Sequence, residues 1–99
     1  MNPIIGIDPG IAPFVAVLRA GGVETIESCE GGPGHAMPEP TVIFSGGVEA
    51  GWHALARAME VGLPVLALRR TWVVVRGEAT GPLWEMTFRA GDAPAPGRK

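Results

Sequence analysis

Long apolar runs are missing from this chain. Runs such as Leu63 to Leu68 and Trp72 to Val75 fall well short of the ~20 residues that a membrane-spanning helix needs. The first residues, Met1-Asn2-Pro3-Ile4-Ile5-Gly6-Ile7-Asp8, lack a basic stretch followed by a long apolar one, so no secretory leader is expected. Cysteine is almost absent as well. Cys29 alone cannot close an internal disulfide, which suits a reducing compartment and makes cytoplasm the expected location. Aspartate is confined to Asp8 and Asp92, too few for chemistry that gathers several aspartates.

Basic residues are scarce in the first half. Residues 1–50 carry Arg19 against Asp8, Glu24, Glu27, Glu30, Glu39 and Glu49, a balance of −5. Residues 51–99 carry Arg57, Arg69, Arg70, Arg76, Arg89, Arg98 and Lys99 against Glu60, Glu78, Glu85 and Asp92, a balance of +3. The plain reading is ordinary surface charge, and the functional one an acidic face that meets a basic partner. No basic stripe with interleaved aromatics is present, so nucleic-acid binding is not expected.

What is present is the material of one domain. Ninety-nine residues at 46% apolar suffice for a single core. After the turn at Asp8-Pro9-Gly10, Ile11, Phe14, Val15 and Leu18 fall at helical spacing, predicting a short helix over about 11–20 with Pro13 in its first turn and Gly21-Gly22 at its end. Val23 to Cys29 reads as a strand, Gly31 to Pro40 as a loop with three glycines and three prolines, and Thr41 to Phe44 as a second strand. A second helix follows, with Val48, Trp52, Leu55, Ala56 and Met59 expected on one face and Gly62 just past its end. Leu63 to Arg70 is ambiguous between a helical turn and an extended link. Thr71 to Arg76 and Leu83 to Arg89 read as a hairpin joined by the six residues from Gly77 to Pro82. The expected fold is α+β, two helices on one face of a four-stranded, mostly antiparallel sheet in the order αββαββ. It occupies 1–90 as a single domain, with 91–99 a flexible tail.

Ile4-Ile5-Gly6-Ile7-Asp8-Pro9-Gly10 resembles the first strand of RuvC-like Holliday-junction resolvases, whose aspartate binds a catalytic divalent metal. That chemistry needs further carboxylates converging on the metals, and a strand that continues past the aspartate. Here Pro9, Gly10 and Pro13 interrupt, and the only other aspartate is Asp92. Asp8 is read as a turn residue.

The richest stretch runs Glu27-Ser28-Cys29-Glu30-Gly31-Gly32-Pro33-Gly34-His35-Ala36-Met37-Pro38-Glu39-Pro40-Thr41-Val42-Ile43-Phe44. Together with Gly62-Leu63-Pro64, Leu68-Arg69-Arg70 and Trp84-Glu85-Met86-Thr87-Phe88-Arg89, it resembles uncharacterised small proteins of phages, prophages and their bacterial hosts. The resemblance implies a small interaction protein or an inhibitor of host defence, acting in the host cytoplasm. It implies no particular chemistry.

The residues themselves leave several readings of this loop open. Cys29 is a candidate nucleophile with His35 or His53 as base, although Glu27 and Glu30 nearby disfavour a thiolate. Cys29, His35 and His53 with Glu30 or Glu39 are candidate zinc ligands, but Cys-x5-His alone is a weak signal and no cofactor is predicted. The glycines are suited to cradling an anion, yet no Lys or Arg lies between Val23 and Glu49. The plainest reading makes Cys29 a small apolar residue at a strand end. A further reading makes Glu27, Cys29, Glu30, Gly31, Gly32, His35 and Glu39 a recognition loop.

Six large aromatics, Phe14, Phe44, Trp52, Trp72, Trp84 and Phe88, must supply most of the core. If both helices cover the same sheet face, the other stays open, and Trp72 with Arg70 and Arg76 would suit a protein partner or a homodimer. Alternatively Trp72 points inward and Val73 and Val75 outward. The expected function is therefore a non-enzymatic module that binds protein. The alternative is a Cys/His-dependent enzyme or metal-binding protein centred on Cys29 and His35.

Overall fold

The computed structural model describes residues 9–34 and 37–89. They form α1 (Ala12–Ala20), β1 (Thr25–Cys29), β2 (Thr41–Phe44), α2 (Val48–Glu60), β3 (Val65–Val75) and β4 (Glu78–Phe88). The fold is α+β in the expected order, and all three strand pairings are antiparallel. The sheet runs β1-β2-β4-β3, so the second hairpin enters beside the first with its later strand inward.

Both helices stop by the same backbone device. Gly22 and Gly62 take positive φ (91° and 80°), and the residue after each donates back into the last turn: Val23 N–H to Leu18 O and Leu63 N–H to Ala58 O. Glycine adopts this left-handed conformation without a side-chain clash, which is why it closes helices. Pro13 sits in the first turn of α1, where a missing N–H costs nothing. The carbonyl end of α1 is also served from α2. His53 Nε2 donates to Gly21 O, a carbonyl past the last turn of the helix, and Arg57 Nε donates at 3.3 Å to Val17 O, which also accepts the Gly21 N–H.

One face of the sheet is fully lined. Val42 pairs with Met86 and Phe44 with Trp84, so these side chains share a face with Phe88 two residues on. Ile11, Phe14, Val15 and Leu18 close over them, as do Ala54 and Ala58 of α2. Phe14 and Phe88 meet with ring centroids 4.3 Å apart and planes tilted by 49°. Both helices therefore cover the same face.

The buried face of α2 differs from the expected one. Gly51, Ala54 and Ala58 are buried, while Val48, Trp52 and Met59 are exposed, Trp52 at 65%. The reason is closeness of approach. A Cβ on Gly51 would lie 2.5 Å from Trp84 Cε2 and 2.7 Å from Cη2, so α2 settles on the sheet through its smallest residues and turns the large ones outward. Trp84 Nε1 donates to Gly47 O, and Arg70 donates to Gly46 O, both at 2.8 Å. The Arg70 guanidinium meanwhile lies 4.5 Å from the Trp84 ring centroid, a cation–π arrangement. Gly51→Ala should therefore destabilise the fold by up to about 2 kcal/mol, overpacking of ~1–3 being offset by the ~1 that alanine adds to a helix. Thermal unfolding of the two proteins checks it, and a stabilised variant would contradict this packing.

The second hairpin also departs from expectation. The link after Gly62 becomes strand at Val65, and β4 starts at Glu78, so only Arg76 and Gly77 turn. Both have positive φ (53° and 80°), as a two-residue hairpin turn of the primed type requires. Gly81 and Pro82, read as part of a loop, lie inside β4 at a register shift opposite Thr71 and Val73. A bulge is the place where a strand tolerates a residue with no N–H to donate.

Candidate functional site

Two regions of the surface bring predicted site residues together. The first is the sheet face away from the helices. Cys29 pairs with Thr41 and Glu27 with Ile43, so these side chains share the outer face. With Ser28 and Met37 they line a pocket of about 40 Å³, room for a water-sized molecule. Cys29 is half-buried there as a free thiol. The connection from 30 to 40 folds back over this end of the sheet. Gly32 N–H donates to the Met37 and Pro38 carbonyls (3.2 and 3.1 Å), and Thr41 Oγ1 donates to Glu39 O at 2.8 Å. Gly31 (φ 81°) lies flat against the Glu39–Pro40 backbone. Glu30 reaches the start of α1, where its carboxylate accepts the Gly10 N–H at 2.7 Å. That contact ties the loop to the helix layer.

Among the described residues, His53 is not brought to the thiol. His53 is bonded to Gly21 on the helix side of the sheet, whereas Cys29 faces the other way. His35 and Asp8 lie outside the described residues, as does the stretch from 90 to 99. Among the described residues, no three His, Cys, Asp or Glu side chains are grouped so as to hold a metal ion. Met37, Thr41 and Ile43, which complete the pocket, carried no sequence signal of their own, because strand register brings Thr41 and Ile43 beside Cys29 and the fold of the loop brings Met37.

Close by, Thr87 pairs with Thr41 on the same outer face. It is 5% exposed, and among the described residues its hydroxyl has no hydrogen-bond partner. An unsatisfied buried hydroxyl costs about 1–3 kcal/mol, and valine has the same shape. Thr87→Val should raise stability by about 1 kcal/mol, read from the urea midpoint. A loss of that size would mean the hydroxyl is solvated in solution.

The second region is the far half of the β3–β4 hairpin. β2 pairs with β4 only as far as Trp84, so beyond that point the two strands project alone as an arm. Trp72 and Val74 lie on the helix side of the arm, Val73 and Val75 on the outer side. All four are exposed, Trp72 at 56% and Val74 at 68%. Trp72 thus falls on the inward-facing set yet stays uncovered, because the arm outreaches the helices. The three residues expected to act together separate: Arg70 is folded onto Trp84, Trp72 stands on the arm, and Arg76 forms its turn. Across the outer face Arg69 approaches Glu85 at 3.7 Å. Four consecutive apolar residues from Trp72 to Val75 were the signal for this region. Such a run usually means a strand buried on both faces, and here neither face is covered.

No protein-family model, no curated protein and no solved structure matches this chain. No described helix is long and apolar enough to cross a membrane.

Proposed function

We propose that this chain is a non-enzymatic protein-binding module, an accessory or inhibitory protein of phage or prophage type, whose docking element is the β3–β4 arm. The single observation behind this reading is the arm itself, a projecting hairpin whose two faces carry Trp72 and three valines in water. Exposed apolar surface gathered on one protrusion marks a binding site, and a rigid tryptophan is a frequent hot-spot anchor. The phage setting is supported by the resemblance of the Cys29 loop to small phage and prophage proteins.

A second reading keeps Cys29 as a reactive or metal-binding thiol, favoured by its place in a pocket beside Glu27 and Thr41. One comparison separates the two. The tagged full chain is incubated with bacterial lysate, and retained proteins are quantified for wild type, Trp72→Ser and Cys29→Ser. Trp72→Ser should lower retention of any specific partner roughly thirtyfold, the equivalent of a ~2 kcal/mol hot spot, while Cys29→Ser leaves it unchanged. Trp72 is exposed, so its replacement should leave circular dichroism and the melting transition in place. Loss of the partner with Cys29→Ser and full retention with Trp72→Ser would overturn the arm reading in favour of the thiol.

A further inference from the structure

We infer that the arm's partner includes a second copy of this chain, bound edge to edge along β3; this rests on the arm being a docking element and names what docks there. The edge itself is the first observation. Of the two irregularities in the hairpin, one places its extra residue at Leu66 of β3 and the other places it on β4, near Gly81 and Pro82. From Ala67 to Val75 the outer edge of β3 is therefore regular, and it holds neither lysine nor proline. Those are the devices that keep an unpaired edge from recruiting another strand. Arg69 and Arg70 do not guard it either, being turned to Glu85 and to Trp84 of their own chain. Among the described residues no strand pairs there. The two-residue turn closes on Val75 and Glu78, which makes them a hydrogen-bonded pair. Alternation along β3 then aims the backbone groups of Val74, Trp72, Arg70 and Leu68 at the free edge.

The second observation is the uncovered stripe of α2. His53 and Arg57 reach from α2 to α1. At 100° per residue, Val48, Trp52 and Met59 fall on the opposite flank. Since α2 lies over β3 and α1 over β1, that flank overhangs the β3 edge. A strand added to the edge would run beneath the stripe and cover it together with the arm.

The third observation is that β3 is complementary to itself. Antiparallel pairing of two copies about a two-fold axis at Trp72 sets the two Trp72 residues opposite each other. It also places Thr71 opposite Val73, Arg70 opposite Val74 and Leu68 opposite Arg76 of the second copy. Each Trp72 then has Arg70 and Val74 of the other chain as diagonal neighbours. The helix-side apolar residues of the arm, Trp72 and Val74, and those of the α2 stripe expose together on the order of 600 Å² per chain, taking ~150–250 Å² for each large aromatic. A standard stable interface buries about 800 Å² per partner. An isologous contact uses the same patch twice, so one self-association accounts for the helix side of the arm and for the α2 stripe together.

The test is molar mass by light scattering from low to high micromolar, followed by cross-linking. Wild type should shift from one chain to two, while Trp72→Arg and Val74→Lys stay single with unchanged circular dichroism. In a Cys29→Ser background, Thr71→Cys and Val73→Cys chains should form a disulfide-linked pair when mixed and oxidised, and far less when either is oxidised alone. A single-chain mass at every concentration overturns the dimer and leaves the arm open to a different partner, which the lysate comparison detects. A dimer that survives both arm substitutions overturns the β3 edge as its interface, and cross-linking of either cysteine chain alone as readily as the mixture overturns the Trp72 register.

Discussion

Phe88→Ala is expected to cost about 3–5 kcal/mol, a large part of the whole stability of a domain this size, which is ~5–15 kcal/mol. Phe88 is fully buried, its ring packed at a tilt against that of Phe14, itself 1% exposed. Truncation removes the contact between the last strand and the first helix. The cavity it leaves is walled by β2 and α1, held by backbone hydrogen bonds that cannot relax far into it. Phe88 N–H is bonded to Pro40 O at 2.9 Å, so the strand end stays pinned while its side chain is lost. The midpoint of urea unfolding should fall steeply with little change in slope. Val74→Ala, an equally apolar truncation on the exposed arm, should stay within about 0.5 kcal/mol of wild type. If the two substitutions cost the same, the helix-side core is not where the fold is held.

Gly31→Ala is of similar size, about 2–5 kcal/mol, and acts on the Cys29 loop. Two effects add. The left-handed conformation at φ 81° costs an alanine ~1–2 kcal/mol. Its Cβ would also overlap the Glu39 carbonyl carbon and stand 2.6 Å from Pro40 N, and forcing a group into such a space adds ~1–3 kcal/mol. Backbone atoms cannot swing aside as a flexible side chain does, so the loop has to lift. Lifting it removes Met37 from the pocket, and alkylation of Cys29 in the native protein should then run several times faster than in wild type. Gly32→Ala, with a similar φ of 98° but open space at the Cβ, should show the strain and little of the rate change. An equal effect of the two would mean that the contact with Glu39 and Pro40 does not set the loop.

The elements read well from the sequence wherever one pattern had one solution. The first helix was legible because Ile11, Phe14, Val15 and Leu18 are large, correctly spaced and closed by a glycine pair, and all four are buried. The face of α2 was not. Apolar spacing marks two stripes on that helix, and choosing between them depends on how near the Trp84 ring lies, which only the tertiary structure sets. The hairpin turn was hidden by a similar ambiguity. Gly81-Pro82 is a strong breaker in sequence, yet a bulge absorbs it, while Arg76-Gly77 carries a turn without an asparagine or aspartate to announce it. At the candidate site, the Cys29 loop was visible from its composition, but its neighbours on β2 follow from register. The arm was visible as four apolar residues in a row whose exposure no local pattern reveals.

The end of the β2–β4 ladder at Phe44 and Trp84 divides the sheet into two regimes of motion. On one side every β4 amide is backed by a neighbouring strand and a helix layer, and opening it means opening the domain. On the other, the strands hold only each other, with Arg76 and Gly77 as their single link. In the single chain, at low concentration, amide hydrogens from Val73 to Thr80 should exchange with solvent through a local unzipping that leaves the helices intact. Those near Met86 and Phe88 should exchange only when the whole fold opens. The protein thus presents its most adhesive residues on the part of its backbone that can come apart and re-form without unfolding the rest.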